Sequence, residues 1–385
     1  MKKIVFIITD YGSFNNFIGD AAVELARAKN EVHLISSSTK VIEIEDKFDY
    51  KNEGIYIHTV ELPRGFNLFK HYNASKKIKS IVDGIQPDIV SIHFTTGVFT
   101  STFNGRLKFK TIGTFHGLGY PVVEGKLKKL IYKFVEKRSL NRIDEAWVLN
   151  RFDLELIKQD FPTVPVFQIP SKGMGCDISK FDPQIFDFSF KKELKESLKI
   201  NEDDFIIGFT GRFVSFKGFD KVIRAFRILI EEKKINNLKL LLIGGLDKAH
   251  NTGLTEEESY WVESCDNIIN IGFTSEVNKY LSITDIFVFP SEKEGMPVCI
   301  IEALAMGVPV ITANARGCND LIINNLNGVL LQRNSPEEIA LQIQNLKNNT
   351  DRRNEMKNII LGERKSMSRG LFVKQQVDYF NTTLC

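Results

Sequence analysis

The stretch SEKEGMPVCIIEALAMGVPVI holds two glutamates, Glu294 and Glu302, separated by eight positions. It follows the apolar run DIFVFPS, which predicts a buried strand leading into a helix. Pro297 suits the first turn of that helix, because its missing N–H would be unpaired there anyway. Glu294 then lies in the loop ahead of the helix, where the backbone N–H groups near Gly295 and Met296 are free to bind hydroxyl groups or anions.

Glu302 has apolar neighbours on nearly every side of the same predicted helix. A carboxylate in such surroundings needs a partner, since burying an unpaired charge is costly. The hydroxyl groups of a ribose would be suitable partners. Two glutamates at this spacing are also compatible with a capping carboxylate at 294 and a structural salt bridge at 302.

The second stretch, TGRFVSFKG at 210–218, follows one apolar run and precedes a predicted helix. Arg212 and Lys217 lie in this connection, flanked by Gly211 and Gly218. Two cations beside a helix N-terminus can bind a diphosphate. The glycine spacing matches neither a Walker P-loop nor a dinucleotide fingerprint. Taken alone, the stretch fits a turn with two surface cations better than it fits a phosphate site.

The elements that position these residues alternate between apolar runs and amphipathic segments. The runs are continuously hydrophobic, which is typical of parallel strands covered on both faces. One series occupies the first 150 residues and a second begins near 204, with the aperiodic linker 172–188 between them. The runs of the first series lie at 3–9, 31–36, 54–60, 88–93, 111–115 and 145–150. This predicts two doubly wound α/β domains that face each other across a cleft lined by the carboxyl ends of their strands. We place the domains at 1–171 and 172–365, with a last helix, 366–385, packing back on the first domain.

The composition excludes several other classes of protein. The chain has 385 residues, of which 43% are hydrophobic and 26% charged, as in a soluble protein of two domains. A net charge of +3 is too small for a nucleic-acid binder. The longest apolar runs are too short to span a membrane, and the one after the initial MKK predicts a strand and not a signal peptide. Five scattered cysteines without metal-ligand spacing indicate a reducing cytoplasm.

Together the two stretches read G-R-x4-K-G and, about 75 residues later, E-G-M-P-x4-E-A-x-A-x-G-x-P-V-I. This pattern resembles the retaining family-4 glycosyltransferases of GT-B fold. The resemblance extends to Pro290–Ser291 and Gly317, and weaker matches occur in TFHGLGY (114–120), NRFD (150–153) and GMGCDISKF (173–181). These segments look like the bacterial members that build capsule, O-antigen or other surface polysaccharides.

The resemblance implies a role for each matching residue of the second domain. Arg212 and Lys217 would hold the donor diphosphate, with Gly211 beside them. Glu302 would bind the ribose, and Glu294 would bind the donor sugar. The segment that follows Glu294 would take part through its backbone: Gly295, Met296 and Pro297.

The resemblance is weaker for the remaining candidate residues. His116, at the end of the TIGTF run, would approach the donor sugar or the reacting oxygens. Gly12, in the loop after the first strand, would let the backbone pass near the diphosphate, although many relatives have a Gly-Gly pair where this chain has one glycine. Asp10 is a candidate acceptor contact. The backbone near Gly272 and Phe273 would recognise the base.

The implied reaction transfers a sugar from a nucleotide-diphosphate sugar to an acceptor hydroxyl, with retention of configuration and an α-linked product. UDP is expected from its frequency in the family, and a polyprenyl-diphosphate-linked glycan is expected as acceptor. We expect no metal cofactor, because Arg212 and Lys217 already supply positive charge. Two alternatives remain open: a sugar-nucleotide epimerase of the same fold, and a catalytically inactive sugar-nucleotide-binding partner in a glycan assembly complex.

The segment 126–142, KLKKLIYKFVEKRSLNR, is the most basic window of the chain. On a helix, its lysines at 126, 129, 133 and 137 form one stripe beside an apolar face at 127, 130, 131 and 134. This arrangement is typical of a helix on an anionic bilayer surface. It predicts a cytoplasmic protein attached peripherally to the inner face of the cell membrane. The alternative is a solvated helix whose apolar side packs on its own domain.

Overall fold

The structure is a computed structural model that describes residues 1–38, 46–65, 67–123, 125–247 and 249–382. The chain forms two compact units, one of Met1–Met174 with Gly370–Cys385 and one of Gly175–Arg369. The predicted boundaries, after 171 and after 365, lie a few residues before the points at which the chain passes from one unit to the other. Among the described residues, no helix combines the length and the apolar character that crossing a bilayer requires.

The first unit is built on a parallel sheet of seven strands. Their order across the sheet is β3-β2-β1-β4-β5-β6-β7. The strands are β1 (Lys3–Ile7), β2 (Glu31–Ser36), β3 (Ile55–Thr59), β4 (Ile89–His93), β5 (Lys110–Phe115), β6 (Glu145–Val148) and β7 (Val166–Gln168). All but β7 were predicted from their apolar runs. β7 escaped prediction because it is a short edge strand with the exposed Phe167 at its centre.

Three of the helices that cover this sheet begin at residues with capping side chains. The helices are α1 (Tyr11–Phe17), α2 (Gly19–Arg27), α3 (Leu68–Ile85), α4 (Thr95–Ser101), α5 (Lys126–Leu140) and α6 (Arg151–Asp160). Asp10, Asn67 and Asn150 each accept a hydrogen bond from a backbone N–H three residues later, at the starts of α1, α3 and α6. Such caps satisfy N–H groups that have no partner within the helix.

The second unit repeats the architecture with six parallel strands in the order β10-β9-β8-β11-β12-β13. The strands are β8 (Phe205–Phe213), β9 (Leu238–Leu246), β10 (Ile268–Gly272), β11 (Ile286–Phe289), β12 (Val310–Ala313) and β13 (Gly328–Leu331). The helices are α7 (Phe188–Ser197), α8 (Phe219–Arg227), α9 (Glu256–Ser264), α10 (Val277–Leu281), α11 (Val298–Ala305), α12 (Pro336–Asn348) and α13 (Thr350–Gly362). The predicted fold class, two doubly wound Rossmann-like domains, is confirmed.

The strand order fixes where each unit can bind a ligand. In both sheets the order reverses once, between β1 and β4 in the first and between β8 and β11 in the second. Open parallel sheets bind ligands beyond the carboxyl ends of the strands at such a reversal. Asp10 follows β1 there, while Lys217 and Glu294 follow β8 and β11.

The last helix, α14 (Arg369–Thr382), packs on the first sheet. Phe380 is fully buried, and its ring lies 5.6 Å from that of Phe6 on β1, edge to face. Lys2 Nζ donates to the Phe380 carbonyl oxygen at 3.1 Å. Tyr379 packs edge to face on Trp147 of β6, with the ring centroids 4.5 Å apart. The chain thus closes its first unit with its last helix.

Phe380→Ala is expected to lower the free energy of unfolding of the first unit by about 3–5 kcal/mol, because it removes a buried aromatic ring and leaves a cavity. Leu371→Ala, at a half-exposed position of the same helix, should cost no more than about 0.5 kcal/mol. Urea denaturation of both variants measures the difference. A cost below about 1 kcal/mol for Phe380→Ala would contradict this account of how α14 is held.

Candidate functional site

Lys217 and Glu294 form an ion pair between Lys217 Nζ and Glu294 Oε1, although they are 77 residues apart in the sequence. Both side chains are mostly buried, with 17% and 10% of their surface exposed. Ser291 Oγ donates to the same glutamate oxygen at 2.7 Å. The two residues meet because β8 and β11 are neighbours in the sheet. The structure therefore brings together two of the residues that the sequence selected.

The turn that carries Lys217 packs tightly against the chain after β11. It is a short 3-10 helix, Ser215–Lys217, that ends at Gly218 with a φ of +76°. A Cβ atom at Gly218 would lie 2.5 Å from the Pro290 side chain, so only glycine fits. The Glu292 N–H donates to the Phe216 carbonyl oxygen at 3.0 Å and joins the two loops. These contacts fix the positions from which Lys217 and Glu294 reach each other.

Arg212 lies within β8, and the prediction that placed it in the connection after the strand was wrong. β8 runs on through Phe213 because it pairs with the equally long β9. Arg212 Nη1 contacts Asp247 Oδ2 at 2.5 Å, and its guanidinium lies over the Phe216 ring at 5.5 Å. Asp247 also accepts from the Ala249 N–H, at 2.8 Å. This hydrogen bond and Arg212 hold the pKa of Asp247 below its usual range.

The glycines at the carboxyl ends of β8 and β10 leave the backbone accessible. Gly211 has a φ of +146° and lies opposite Gly244 of β9. A Cβ atom at Gly244 would lie 1.9 Å from the Gly211 carbonyl oxygen, so the two strand ends approach without side chains between them. Gly272 ends β10 with a φ of +76°, and the Phe273 side chain after it is exposed. Both segments lie at the sheet edge that carries Lys217.

Helix α11 begins one residue later than predicted, since Pro297 is its N-cap and not part of its first turn. The loop before it is anchored at Glu294, whose carbonyl oxygen accepts from Arg316 Nε at 2.9 Å. Gly317 packs so closely that a Cβ atom there would lie 2.5 Å from the Gly295 carbonyl oxygen. Met296 is buried. The backbone of 295–297 is therefore held in place just ahead of the helix.

Glu302 lies on α11 among buried apolar neighbours, as the sequence indicated. Its carboxylate forms no hydrogen bond or ion pair with any residue in the described part of the chain. Burial raises its pKa to about 7, and Lys180 acts in the opposite direction. When it is ionised, the Glu302 carboxylate can accept hydrogen bonds from the hydroxyl groups of a ligand.

In the first unit, His116 follows β5 and packs between aromatic rings. His116 Nε2 lies 3.2 Å from Nδ1 of His93, which is fully buried at the end of β4. The Phe94 ring is 4.2 Å away, and the Phe17 ring lies 5.5 Å away. Burial keeps the pKa of His93 well below its usual range, with His116 adding to the effect. The neutral His93 therefore orients the His116 ring through one hydrogen bond.

Asp10 and Gly12 both belong to the start of helix α1. Gly12 is in the first turn of α1, and the prediction of a loop position was wrong. The helix starts early because Asp10 caps it: the carboxylate accepts from the Ser13 N–H at 2.8 Å and from Ser13 Oγ at 2.9 Å. Arg64 is a more distant partner, at 3.5 Å. Most of the hydrogen-bonding capacity of Asp10 is thus used within its own turn.

Sequence reasoning missed three residues that hold these candidates in place. Asp247 carries no motif signal, because the glycines before it in LIGGLD read only as a strand end. His93 ends an apolar run and shows its role only through its contact with His116. Glu136 stands as the single acid in a basic segment, yet it is buried and accepts the Gly119 N–H.

Both units match known glycosyltransferase families. Residues 190–360 match the family described as "Glycosyl transferases group 1", and residues 3–148 match "Glycosyl transferase 4-like". Together these matches span most of both units.

Relatives share about a quarter of their residues with this chain. The Staphylococcus aureus capsular polysaccharide biosynthesis glycosyltransferase CapM is 27% identical over 357 residues, which cover 90% of this chain and 88% of that protein. The Escherichia coli UDP-Gal:alpha-D-GlcNAc-diphosphoundecaprenol alpha-1,3-galactosyltransferase is 26% identical over 295 residues, 74% of this chain and 73% of that protein.

Solved structures of similar fold cover the whole chain. Sucrose-phosphate synthase from Thermosynechococcus elongatus superposes with a TM-score of 0.79 at 18% identity, covering 99% of both chains. HepE of Anabaena, in complex with UDP, superposes with a TM-score of 0.77 at 14% identity, covering 99% of this chain and 100% of that one. With two Rossmann-like units and both family matches, the chain belongs to the family-4 glycosyltransferases of GT-B fold.

Proposed function

We propose that this glycosyltransferase moves a sugar from a UDP-sugar to a hydroxyl group of a polyprenyl-diphosphate-linked glycan, with retention of configuration, during synthesis of a bacterial surface polysaccharide. The observation that carries the proposal is the mostly buried Lys217–Glu294 pair at the carboxyl ends of β8 and β11. In this pair a cation that would bind the diphosphate lies next to a carboxylate that would accept hydrogen bonds from the sugar hydroxyls. The names of the relatives support the donor, the lipid-linked acceptor and the α-linkage.

The two cations of the site are already neutralised by carboxylates. Lys217 is paired with Glu294, and Arg212 with Asp247. A donor diphosphate carries negative charge and would compete for both cations. When Lys217 turns to the diphosphate, Glu294 becomes available to accept hydrogen bonds from the sugar. One binding event would thus arrange both groups.

In the proposed step, the bond between the anomeric carbon and the diphosphate oxygen breaks as the acceptor oxygen bonds to the same carbon. The attack comes from the face that the diphosphate leaves, and the acceptor proton passes to the leaving phosphate oxygen. Negative charge therefore grows on the diphosphate in the transition state. Lys217 and Arg212 would stabilise that charge, a type of contact commonly worth about a hundredfold or more in rate.

The activity test uses the full chain, a panel of UDP-, GDP- and ADP-sugars, and a polyprenyl-diphosphate glycan acceptor, in excess EDTA. We expect transfer without added metal, because the cations of the site are side chains. Proton NMR of the product should show the α-configuration of the donor. A β-linked product from an α-donor excludes retention, and loss of activity that Mg²⁺ or Mn²⁺ restores excludes a metal-independent step.

Lys217→Ala and Glu294→Gln are expected to lower kcat by about a hundredfold or more, since each removes a contact that strengthens in the transition state. Lys221→Ala is the matched control, because Lys221 pairs with Glu292 at the same sheet edge and has no assigned role. Thermal unfolding should show that all three variants fold. A near-normal rate in Lys217→Ala or Glu294→Gln would remove that residue from the mechanism.

Donor affinity is expected to rise with pH through about 7 if Glu302 binds the ribose. Burial raises the pKa of Glu302 to about 7, whereas ribose hydroxyls donate to the ionised carboxylate. Donor binding must then release a proton at acid pH, so affinity should fall by up to about tenfold per pH unit below 7. Calorimetric titration with UDP-glucose measures this, because its diphosphate has no terminal phosphate group to titrate in that range.

Glu302→Gln should bind the same donor more weakly, and its donor affinity should no longer rise with pH through about 7. The exposed Glu355→Gln on α13 serves as control and should keep the wild-type profile. A step of unchanged size in Glu302→Gln would show that another group is responsible.

We also propose that the enzyme binds peripherally to the inner face of the cell membrane, and the outward face of α5 supports this. Leu127, Leu130 and Phe134 expose 72%, 65% and 65% of their surface, so this apolar side does not pack on its own unit. The lysine stripe is less uniform than the sequence indicated, because Lys133 pairs with Asp160 at 2.6 Å. The other basic residues of the face are exposed: Lys126, Lys128, Lys129 and Lys137.

Helix α3 extends this surface. Its first turns expose Leu68, Phe69 and Tyr72, and further lysines follow along the helix. The turn between α4 and β5 joins the two helices: Asn104 Nδ2 donates to the Tyr72 carbonyl oxygen at 3.0 Å, and Arg138 Nη2 donates to the Phe103 carbonyl oxygen at 3.1 Å. A lipid surface would receive apolar side chains from both helices, surrounded by lysines.

Changing Lys126, Lys128, Lys129 and Lys137 together to Glu should abolish binding to vesicles that contain anionic lipid, since each lysine near such a surface contributes about 1 kcal/mol. Transfer to the lipid-linked acceptor should slow, while hydrolysis of the donor should not change. The control carries four charge reversals on the second unit, at Lys192, Lys199, Lys233 and Lys234, and should still bind. Unaltered vesicle binding by the α5 variant would overturn the membrane proposal.

A further inference from the structure

The loop after β5, residues 116–120, is held by the buried carboxylate of Glu136 on the inner face of α5. Glu136 Oε1 accepts the Gly119 N–H at 2.6 Å, and Oε2 accepts the Tyr120 N–H at 3.3 Å. Thr95 Oγ1, at the start of α4, donates to Oε1 at 3.4 Å. Glu136 has no exposed surface. A fully buried carboxylate is thus committed to the loop that begins with His116.

The loop backbone is shaped for this contact. A Cβ atom at Gly119 would lie 2.9 Å from the Tyr132 ring and 3.3 Å from Glu136 Oε1, so the absent side chain lets the amide reach the carboxylate. Gly117 has a φ of +135°, a conformation that other residues rarely adopt. Both glycines of the HGLG segment therefore serve the bend that places His116 at the end of β5.

The charged surroundings of Glu136 are acidic. Asp153 of α6 is also buried and accepts the Leu118 N–H at 3.2 Å. Asp160, further along α6, accepts from the Tyr120 hydroxyl at 2.7 Å and is paired with Lys133. No lysine, arginine or histidine in the described ranges forms an ion pair with Glu136. Its carboxylate is stabilised by the two backbone N–H groups and by Thr95.

We propose that Glu136 is a positioning residue for the transfer reaction, whose carboxylate fixes the 116–120 loop and so sets where the His116 imidazole lies. This rests on the proposed function, in which His116 approaches the donor sugar or the reacting oxygens. His93 orients the ring from one side, and Glu136 fixes the backbone that carries it from the other. The loop would hold His116 in place only while both contacts are made.

The hydrogen bonds between Glu136 and the loop amides should depend on pH. Burial raises the pKa of Glu136 to about 7, Asp153 adds to the rise, and the two amides oppose it. The ionised form, present above pH 7, accepts both N–H groups. Protonation below pH 7 turns one oxygen into a donor and weakens its bond to an amide. The loop is therefore held at alkaline pH and loosens as the pH falls through about 7.

Steady-state kinetics from pH 5.5 to 8.5 test the proposal on wild type, Glu136→Gln and Asp285→Asn. Asp285 is the matched control: it accepts the Ile206 N–H at 2.7 Å and burial raises its pKa, but it lies at the amino end of β11. In Glu136→Gln we expect kcat to fall by about a hundredfold, as for a misplaced reacting group, and its fall below pH 7 to disappear. The donor KM should change less than about twofold, because the diphosphate ligands lie on the second unit.

A second variant tests the Glu136–Gly119 hydrogen bond by changing Gly119 in place of Glu136. Gly119→Ala keeps the carboxylate but pushes the amide away from it, and it should lower kcat with the donor KM unchanged. Asp285→Asn should keep the wild-type kcat and its pH profile. Wild-type kcat and pH dependence in both Glu136→Gln and Gly119→Ala would overturn the proposal, as would an equal effect of Asp285→Asn.

Amide hydrogen exchange tests whether Glu136 fixes the loop without any assay of sugar transfer. Segment 116–120 should lose protection in Glu136→Gln and, after correction for intrinsic rates, be less protected in wild type at pH 6 than at pH 8. Equal protection in the two proteins at both pH values would overturn the role of Glu136. If wild type transfers no sugar, the proposed function fails, while the exchange data still show whether Glu136 fixes the loop.

Discussion

The Lys217–Glu294 ion pair is the interaction on which the candidate site of the second unit depends. Two mostly buried charges are tolerable only because they lie within contact distance and because Ser291 also donates to the carboxylate. That contact requires β8 and β11 to be neighbours, so it follows directly from the reversal of strand order at this point. The sharp turns at Gly218 and Gly317 then pack the two loops closely enough for the side chains to meet.

Both units use carboxylates to hold the groups that the reaction would use. Asp247 and Glu294 each hold a cation of the second unit. In the first unit, Glu136 holds two amides of the His116 loop and Asp153 holds one. In the second unit the carboxylates face cations that an incoming diphosphate can take over. In the first unit they face backbone N–H groups of a loop. The first arrangement suits exchange on binding, whereas the second suits a fixed loop.

Much of the fold was predictable because parallel strands buried on both faces appear as continuous apolar runs. The edge strand β7 was not, since an exposed three-residue strand has no such pattern. Arg212 and Lys217 could be proposed as a pair of cations from the sequence, but the extension of β8 through Arg212 depends on pairing with β9. The Lys217–Glu294 contact spans 77 residues and is a property of strand order, which local patterns do not contain.

Helix α5 shows why the role of Glu136 could not be predicted from the composition of its segment. Its basic, apolar sequence describes the outward face, where Leu127 and Phe134 are exposed. Glu136 belongs to the opposite face, together with the buried Ser139 and Leu140. A single acid in a basic helix is ordinarily solvated, but here the helix turns Glu136 toward the N–H groups of Gly119 and Tyr120. One helix therefore presents a surface suited to lipid on one face and, on the opposite face, the carboxylate that fixes the His116 loop. The two roles meet in the Glu136–Gly119 hydrogen bond, 2.6 Å long, because this contact joins the His116 loop to the helix whose other face is exposed.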